Sequence, residues 1–534
     1  MCIQTAVLSQ PGVSAMAKLD GIELEIIWGN LISIVSEQAR ALQRIAFSPI
    51  VREAGDLATA LFDADARMVA QAVTGTPGHI NSLAAAAKNI IDVIPPDTLC
   101  PGDVLITNDP WKSAGHFFDI TLLTPIFRHD ELIAYCGSTI HHTDIGGYGI
   151  GAGARDIHEE GLWIPSLKLY ECGEPNETLH AIIRQNVRTP NAIFGDLAAQ
   201  VSSGKMGGER LNAMCDRYAM NDIHELSHEI ISRAEKATRD DIRKLPAGTY
   251  NGETKFDVPG GEVIELKTAV TIDSDLGEIT IDFAGSSGPS PHGINVVSAY
   301  THAYSTFTIR SILNPDLPNN AGSLAPIKVK APQHCIVNAQ YPSPVNARHV
   351  VGMYVPFPIL KALAHVVPDK VLAEGSGAVW TMQIQGRGKD GEPFTSSMFN
   401  YSGGMGARVG KSGLSATCYP TGVAAVPVEV LEASIPIEFT RKELAAGTGG
   451  SGKFKGGDGQ WVGFRMRSGN DWLLNAIPSR LDSGAEGLFG AQSGAAGLFL
   501  INGKPCSEAK KLAMNADDEV LMRTPGGGGS GRVN

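Results

Sequence analysis

Apolar residues between Ile22 and Ala46 recur at helical spacing, with Leu24, Ile27, Trp28, Leu31, Val35, Leu42 and Ile45 falling on one side of the pattern. They predict a helix over 22–46 that stops before "FSPIVRE", where Pro49 disfavours the helical conformation of the residue ahead of it. The period then changes. "LATALF" and "MVAQAV" are short β-prone runs flanking "DADAR", a stretch of turn formers, and they predict a β-hairpin with Asp56 just ahead of it. A second hairpin is predicted from residues 117–127 and 132–140, two β-prone runs separated by the polar "RHDE". Helical spacing returns with Leu211, Met214, Ile223, Leu226, Ile230, Ala234 and Ala237, predicting a helical stretch over about 209–244 that ends at Leu245 before Pro246.

Beyond Pro246 the text turns to short strands such as "VIELKTAVTI" and "GEITIDFAG", with many glycines between the later segments. The expected organisation is therefore an α+β fold in two parts. Residues 1–245 form an α+β domain with hairpins and long helices, and residues 246–534 form a β-rich domain with glycine-rich loops and a tail. The closing "TPGGGGSGRVN" has linker composition and reads as a flexible tail or an artificial appendage. No repeat of solenoid length is visible.

The second hairpin concentrates chemistry. Five of the fourteen histidines fall between 108 and 160, in company with Asp109, Asp119, Asp144, Glu159 and Glu160. If the turn is centred on His129 and Asp130, antiparallel pairing sets opposite each other residues whose numbers sum to about 259, so Phe118 faces His141 within a residue or so. His116, Asp119 and His141 then meet at the open end. Residues three apart on a strand point to opposite faces, so His116 and Asp119 converge only if His116 lies in the loop before the strand, and Gly115 permits that bend.

Two imidazoles and a carboxylate are a common ligand set for Zn²⁺, Mn²⁺ or Fe²⁺, because neutral imidazole donates to borderline metals while the carboxylate offsets charge. Two readings stand at this point: a metal site, or histidines that cap strand ends and bond to loop backbone, the commoner fate of a histidine taken singly. His142 and Asp144 share a face of an extended segment and are either alternative ligands or groups that orient the ligands. The glycines of "DIGGYGIGAGAR" would let backbone approach a ligand closely.

Composition narrows the function class. A formal charge of −12, spread along a chain with 43% hydrophobic and 19% charged residues, disfavours nucleic acid as a general partner. The expected partner is a small molecule or another protein. Eight cysteines without CxxC pairs fit a reducing cytoplasm better than a disulfide scaffold. The start "MCIQTAVLSQPGVSAMAKLDG" lacks the basic and long apolar regions of a signal peptide, and no apolar run reaches the roughly 18 residues of a membrane span. "GTGGSGKFKGGDG", 447–459, satisfies GxxxxGK but carries Phe454 where a Ser or Thr would bind Mg²⁺, so an ordered glycine-rich loop is expected in place of an ATP site. No GxSxG elbow, HExxH or dinucleotide fingerprint occurs in the required context. Arg348 and Arg480 lie in turn-rich text and read either as anion binders or as surface ion pairs.

"NDPWKSAGHFFDITLLTPIF", "HHTDIGG" and "EEGLWIPSLKL" together resemble the signature run of the hydantoinase B/oxoprolinase family. The likeness extends over nearly the whole chain: "REAGDLATALFDADARMVAQ" and "GTPGHINSL" precede that run, and "IDFAGSSGPSPHGIN", "PVNAR", "GTGGSGKFKGGDG" and "TPGGGG" follow it. The resemblance implies a subunit that works in a hetero-oligomer with an ATP-using partner of hydantoinase A type, which phosphorylates the oxygen of a cyclic amide or a ketone enol. It also implies a divalent transition metal, Zn or Mn, carried over onto Asp56, His116, Asp119 and His141. Asp56 comes from the resemblance alone. Ala114 in "SAGHFFD" departs mildly from the family's usual second glycine, with no ligand lost.

The expected reaction is hydrolysis, in which water made acidic by the metal attacks the phosphorylated amide carbon as phosphate leaves, with Glu160 or Asp144 as candidate proton acceptor. Relatives of the family carboxylate acetone or acetophenone, so a ketone carboxylase subunit is the first alternative. The chain is somewhat short for the acetone enzyme's large subunit, which favours amide hydrolysis. A non-catalytic assembly subunit is the second alternative, and the intact ligand set counts against it.

Overall fold

A computed structural model describes residues 21–533 apart from Thr74 and Ala378. The segment at the extreme N-terminus, Cys2 included, lies outside the described residues. The first helix runs Gly21–Ile45 and buries Leu24, Ile27, Leu31, Val35 and Leu42, as the spacing requires.

The fold is α+β. Its first sheet has seven strands: β1 (Leu57–Asp63), β2 (Met68–Gln71), β3 (Val104–Thr107), β4 (Asp119–Arg128), β5 (Glu131–His141), β6 (Leu167–Glu171) and β7 (Glu174–Pro175). Their order is β2-β1-β5-β4-β3-β6-β7. Both predicted hairpins are present as β1/β2 and β4/β5. In the second, His129 and Asp130 both adopt positive φ (50° and 65°), the backbone of a two-residue turn whose twist matches that of its strands. The register pairs Asp119 with His141, within one residue of expectation.

The helical stretch predicted over 209–244 divides in two. One helix spans Pro190–Arg217 and the next His224–Ile242. Ala219 takes the left-handed conformation (φ 51°), and the Met220 amide donates back to Cys215 O at 2.8 Å, closing the first helix end. That role usually falls to glycine, so the break carries no glycine or proline signal.

Among the described residues the second half holds three more sheets and the sixteen-residue helix Ser298–Leu313. One sheet is β11-β10-β9-β8, with β8 Gly248–Asp257, β9 Val263–Asp273, β10 Glu278–Asp282 and β11 Ile327–Lys330. The main cluster of buried apolar side chains runs from Leu24 to Met522, on both sides of residue 245.

The tail contradicts its linker composition. Thr524 through Ser530 are buried, and the amides of Gly526, Gly527, Gly528 and Gly529 donate to Ala495 O, Gly457 O, Glu374 O and Gln492 O at 2.8–3.0 Å. The glycines are there so that backbones can touch. A Cβ on Gly527 would overlap Met405 O, and one on Gly456 would overlap Gly527 O.

Cys100 and Cys172 form a disulfide across a separation of 72 residues, a pairing not expected from the cysteine pattern. Cys136, Cys215, Cys335, Cys418 and Cys506 are free thiols. Among the described residues no helix is long and apolar enough to cross a membrane.

Candidate metal centre

The open end of the β4/β5 hairpin brings together His116, Asp119 and His141, whose ligand-capable atoms all lie within 4.8 Å of one another. All three side chains are buried. Asp119 starts β4 and His141 ends β5, so the pair is fixed by strand register, while His116 lies in the loop ahead of β4. Gly115 makes that loop possible with φ 94°, and a Cβ on it would come within 2.7 Å of the Arg348 side chain. The ring of Phe118 stacks on His141 at 5.4 Å between centroids, limiting how that imidazole can turn.

Asp119 is the hub. Its Oδ1 lies 2.9 Å from His116 Nε2 and 3.0 Å from His141 Nδ1, and its Oδ2 lies 2.9 Å from His79 Nε2 and against Arg348 Nη2. Burial works against its charge, yet His116, His79 and Arg348 together hold the carboxyl well below the ordinary carboxylate range. For His79 burial opposes the charged form, and Asp119 and Asp56 outweigh it, raising its pKa. Asp56 lies 3.5 Å from His79 Nδ1, and burial raises its carboxyl pKa. It lines the same small cavity, about 40 Å³, but stands outside the close trio.

The donor set fits a cation. His116 Nδ1 lies 2.8 Å from Asn346 O, a carbonyl that only accepts, so Nδ1 carries the hydrogen and Nε2 presents a lone pair. That lone pair faces Asp119 Oδ1 at 2.9 Å without hydrogen-bond geometry. Burial, then Arg348, pushes the His116 pKa down to about 4, so at neutral pH no proton fills the gap. Two electron-rich atoms at this distance suit a positive ion bound beside them, and N₂O chemistry suits a divalent transition metal.

Asp144 and Glu160 are placed elsewhere. Asp144 accepts from Arg188 Nη1 at 2.8 Å and from the Gly146 and Thr189 amides, fixing the start of the Pro190–Arg217 helix. His142 faces the same helix, with Nε2 3.3 Å from Gln200 Oε1. Glu160 Oε1 accepts from the Val345 and Asn346 amides at 2.7 and 2.8 Å. None of the three lines the cavity at His116 and His141. Glu160 instead sets the backbone whose Asn346 carbonyl orients His116.

Burial raises the Glu160 carboxyl well above its ordinary pKa, so a neutral amide is a close substitute. Glu160→Gln is expected to retain metal and stability. Glu160→Ala strands two buried amides and is expected to cost about 2 kcal/mol or more, with roughly ten- to hundredfold weaker metal binding. Denaturant titration and metal competition measure both; a Gln variant that keeps its metal but loses turnover would return Glu160 to a proton-accepting role.

Arg348 and Arg480, read from sequence as anion binders or surface ion pairs, are both buried. Arg480 pairs with Glu374 at 2.6 Å, and Arg348 pairs with Asp119 while its guanidinium lies 4.2 Å from the Tyr300 ring centroid. Sequence reasoning missed His79, Asn346 and His349. His79 stands in the first turn of the helix Pro77–Ile91, capped by Thr76, and an ionisable group directly after "TPG" at a helix start was its available signal.

Comparison with known proteins then decides the family, since the model for "Hydantoinase B/oxoprolinase" matches residues 20–533. The chain belongs to the hydantoinase B/oxoprolinase family. It is 32% identical to an uncharacterised protein of Methanocaldococcus jannaschii, over 96% of this chain and 91% of that one. It is 30% identical to a protein named as a putative D-/L-hydantoinase subunit from a Pseudomonas species, over 90% of this chain and 84% of that one. Among solved structures, the ATP-dependent caprolactamase from Pseudomonas jessenii superposes with a TM-score of 0.88 at 24% identity, covering 97% of this chain and 92% of that one. Acetone carboxylase in its nucleotide-free form superposes at 0.86 and 19% identity, over 95% and 75%. At these identities the structures share the fold.

Proposed function

We propose that the chain is the metal-dependent subunit of an ATP-dependent cyclic-amide hydrolase, acting in a cytoplasmic hetero-oligomer on an intermediate phosphorylated by a hydantoinase A type partner. The observation that carries this reading is the buried His116, Asp119, His141 trio, in which His116 Nε2 faces Asp119 Oδ1 with no hydrogen bond between them. Family relatives named as a hydantoinase subunit and as the beta subunit of a caprolactamase support a cyclic amide as the substrate class. A separate ATP-using chain is favoured because the amides of the 447–459 loop are spent internally: Gly449 on Asp458 Oδ1, Gly450 on Gly527 O and Lys453 on Gly531 O.

His116, Asp119 and His141 would hold a Zn or Mn ion, with Asp56 as a fourth ligand from the wall of the same cavity. When bound, such an ion acidifies water and polarises the substrate oxygen. The chain's own residues do the rest. Asn346 O keeps His116 in the ligating tautomer. His79 and Arg348 occupy Asp119 Oδ2, keeping the carboxylate ionised and its other oxygen aimed at the trio. Tyr300, Met353, Val379 and Val423 wall the cavity with apolar surface that limits water entry.

The test is co-purification with the partner followed by a screen of hydantoins, lactams and ketones. Ring opening that needs both chains and ATP supports the reading. Carboxylation of a ketone that needs bicarbonate, with no ring opening, would replace it by the carboxylase alternative.

A further inference from the structure

Among its described residues the cavity beside the trio is lined by four imidazoles: His79, His116, His141 and His349. Three of them lie within 3.0 Å of Asp119. The fourth is different. His349 is 6% exposed, and its Nε2, shut off from solvent, has no hydrogen-bond partner among the described residues. It begins the short helix His349–Gly352 directly after Arg348, so the backbone that brings Arg348 to Asp119 also fixes His349 at the cavity wall.

A buried polar atom without a partner costs stability, and an apolar side chain would pack there without that cost. His349 Nε2 can donate or accept a hydrogen bond according to the tautomer of the ring. Met353, Val379 and Val423 add apolar surface to the cavity, beside the polar Thr76 and Thr421. At about 40 Å³ the cavity admits the polar end of a ligand and not a whole ring.

We propose that His349 Nε2 is a substrate-contacting group, hydrogen-bonding the polar edge of a small ligand seated against His116, Asp119 and His141. The inference rests on the reading that those three residues carry a divalent metal, and it names a contact that the metal reading does not require.

The experiment uses the full chain loaded with zinc and acetohydroxamate as probe, followed by calorimetry in wild type, His349→Ala and His349→Gln. The expected result is binding weakened about tenfold or more in His349→Ala, recovered largely in His349→Gln, whose amide can hydrogen-bond, with zinc content equal in all three. Equal affinities, no binding to the zinc-loaded wild type, or zinc loss in His349→Ala would each overturn it. A wild-type complex that opens no ring while probe binding still depends on His349 would sink the hydrolase reading and leave this contact standing.

Discussion

His116→Ala is expected to abolish metal retention and to lower turnover of the assembled complex by roughly a thousandfold or more, while part of the partner's ATPase activity survives. The reason is geometric. His116 supplies the lone pair that faces Asp119 Oδ1 at 2.9 Å, and its ring is set by Asn346 O, so no neighbouring group can take its place without moving that loop. In the proposed scheme phosphorylation belongs to the partner and does not use this imidazole. Elemental analysis of the variant and steady-state assays of the complex check both halves, and full turnover by His116→Ala would remove the metal centre from the mechanism.

The second large effect lies far from the hairpin in sequence. Gly527→Ala is expected to destabilise the chain by about 3 kcal/mol or more, because the new methyl group would overlap Met405 O and neither backbone can yield without breaking its hydrogen bonds. Gly288→Ala is the control: it is exposed and meets nothing within 4 Å, so its effect should stay within about 0.5 kcal/mol. Chemical denaturation separates the two. Equal stability of both variants would mean that the glycine-rich lattice is not a packed element.

What the sequence made legible follows from how local each signal is. The β4/β5 hairpin could be read with its register because its strand periodicity and turn are contiguous, and with it came His116, Asp119 and His141. Asp56 entered only through family resemblance, and the structure puts it on the cavity wall beside His79, outside the close trio. Arg348 could not be assigned because Asp119 lies 229 positions away, and His79 reaches the same carboxylate from a separate helix. The helix break at Ala219 was hidden because alanine there bears the cost of a left-handed conformation usually left to glycine. "TPGGGG" misled for a deeper reason: a chain that needs freedom and a chain that needs backbone contact ask for the same residue. Asp144 and Glu160 looked catalytic by proximity in sequence, whereas their carboxylates are engaged with Arg188 and with the 345–346 backbone.

The proposed hydrolysis requires this chain to carry a divalent metal on His116, Asp119 and His141. Elemental analysis of the purified full-length protein after metal-replete expression tests it most directly: the account predicts about one transition-metal ion per chain, lost in His116→Ala. A wild-type protein that contains no such ion under those conditions would contradict it.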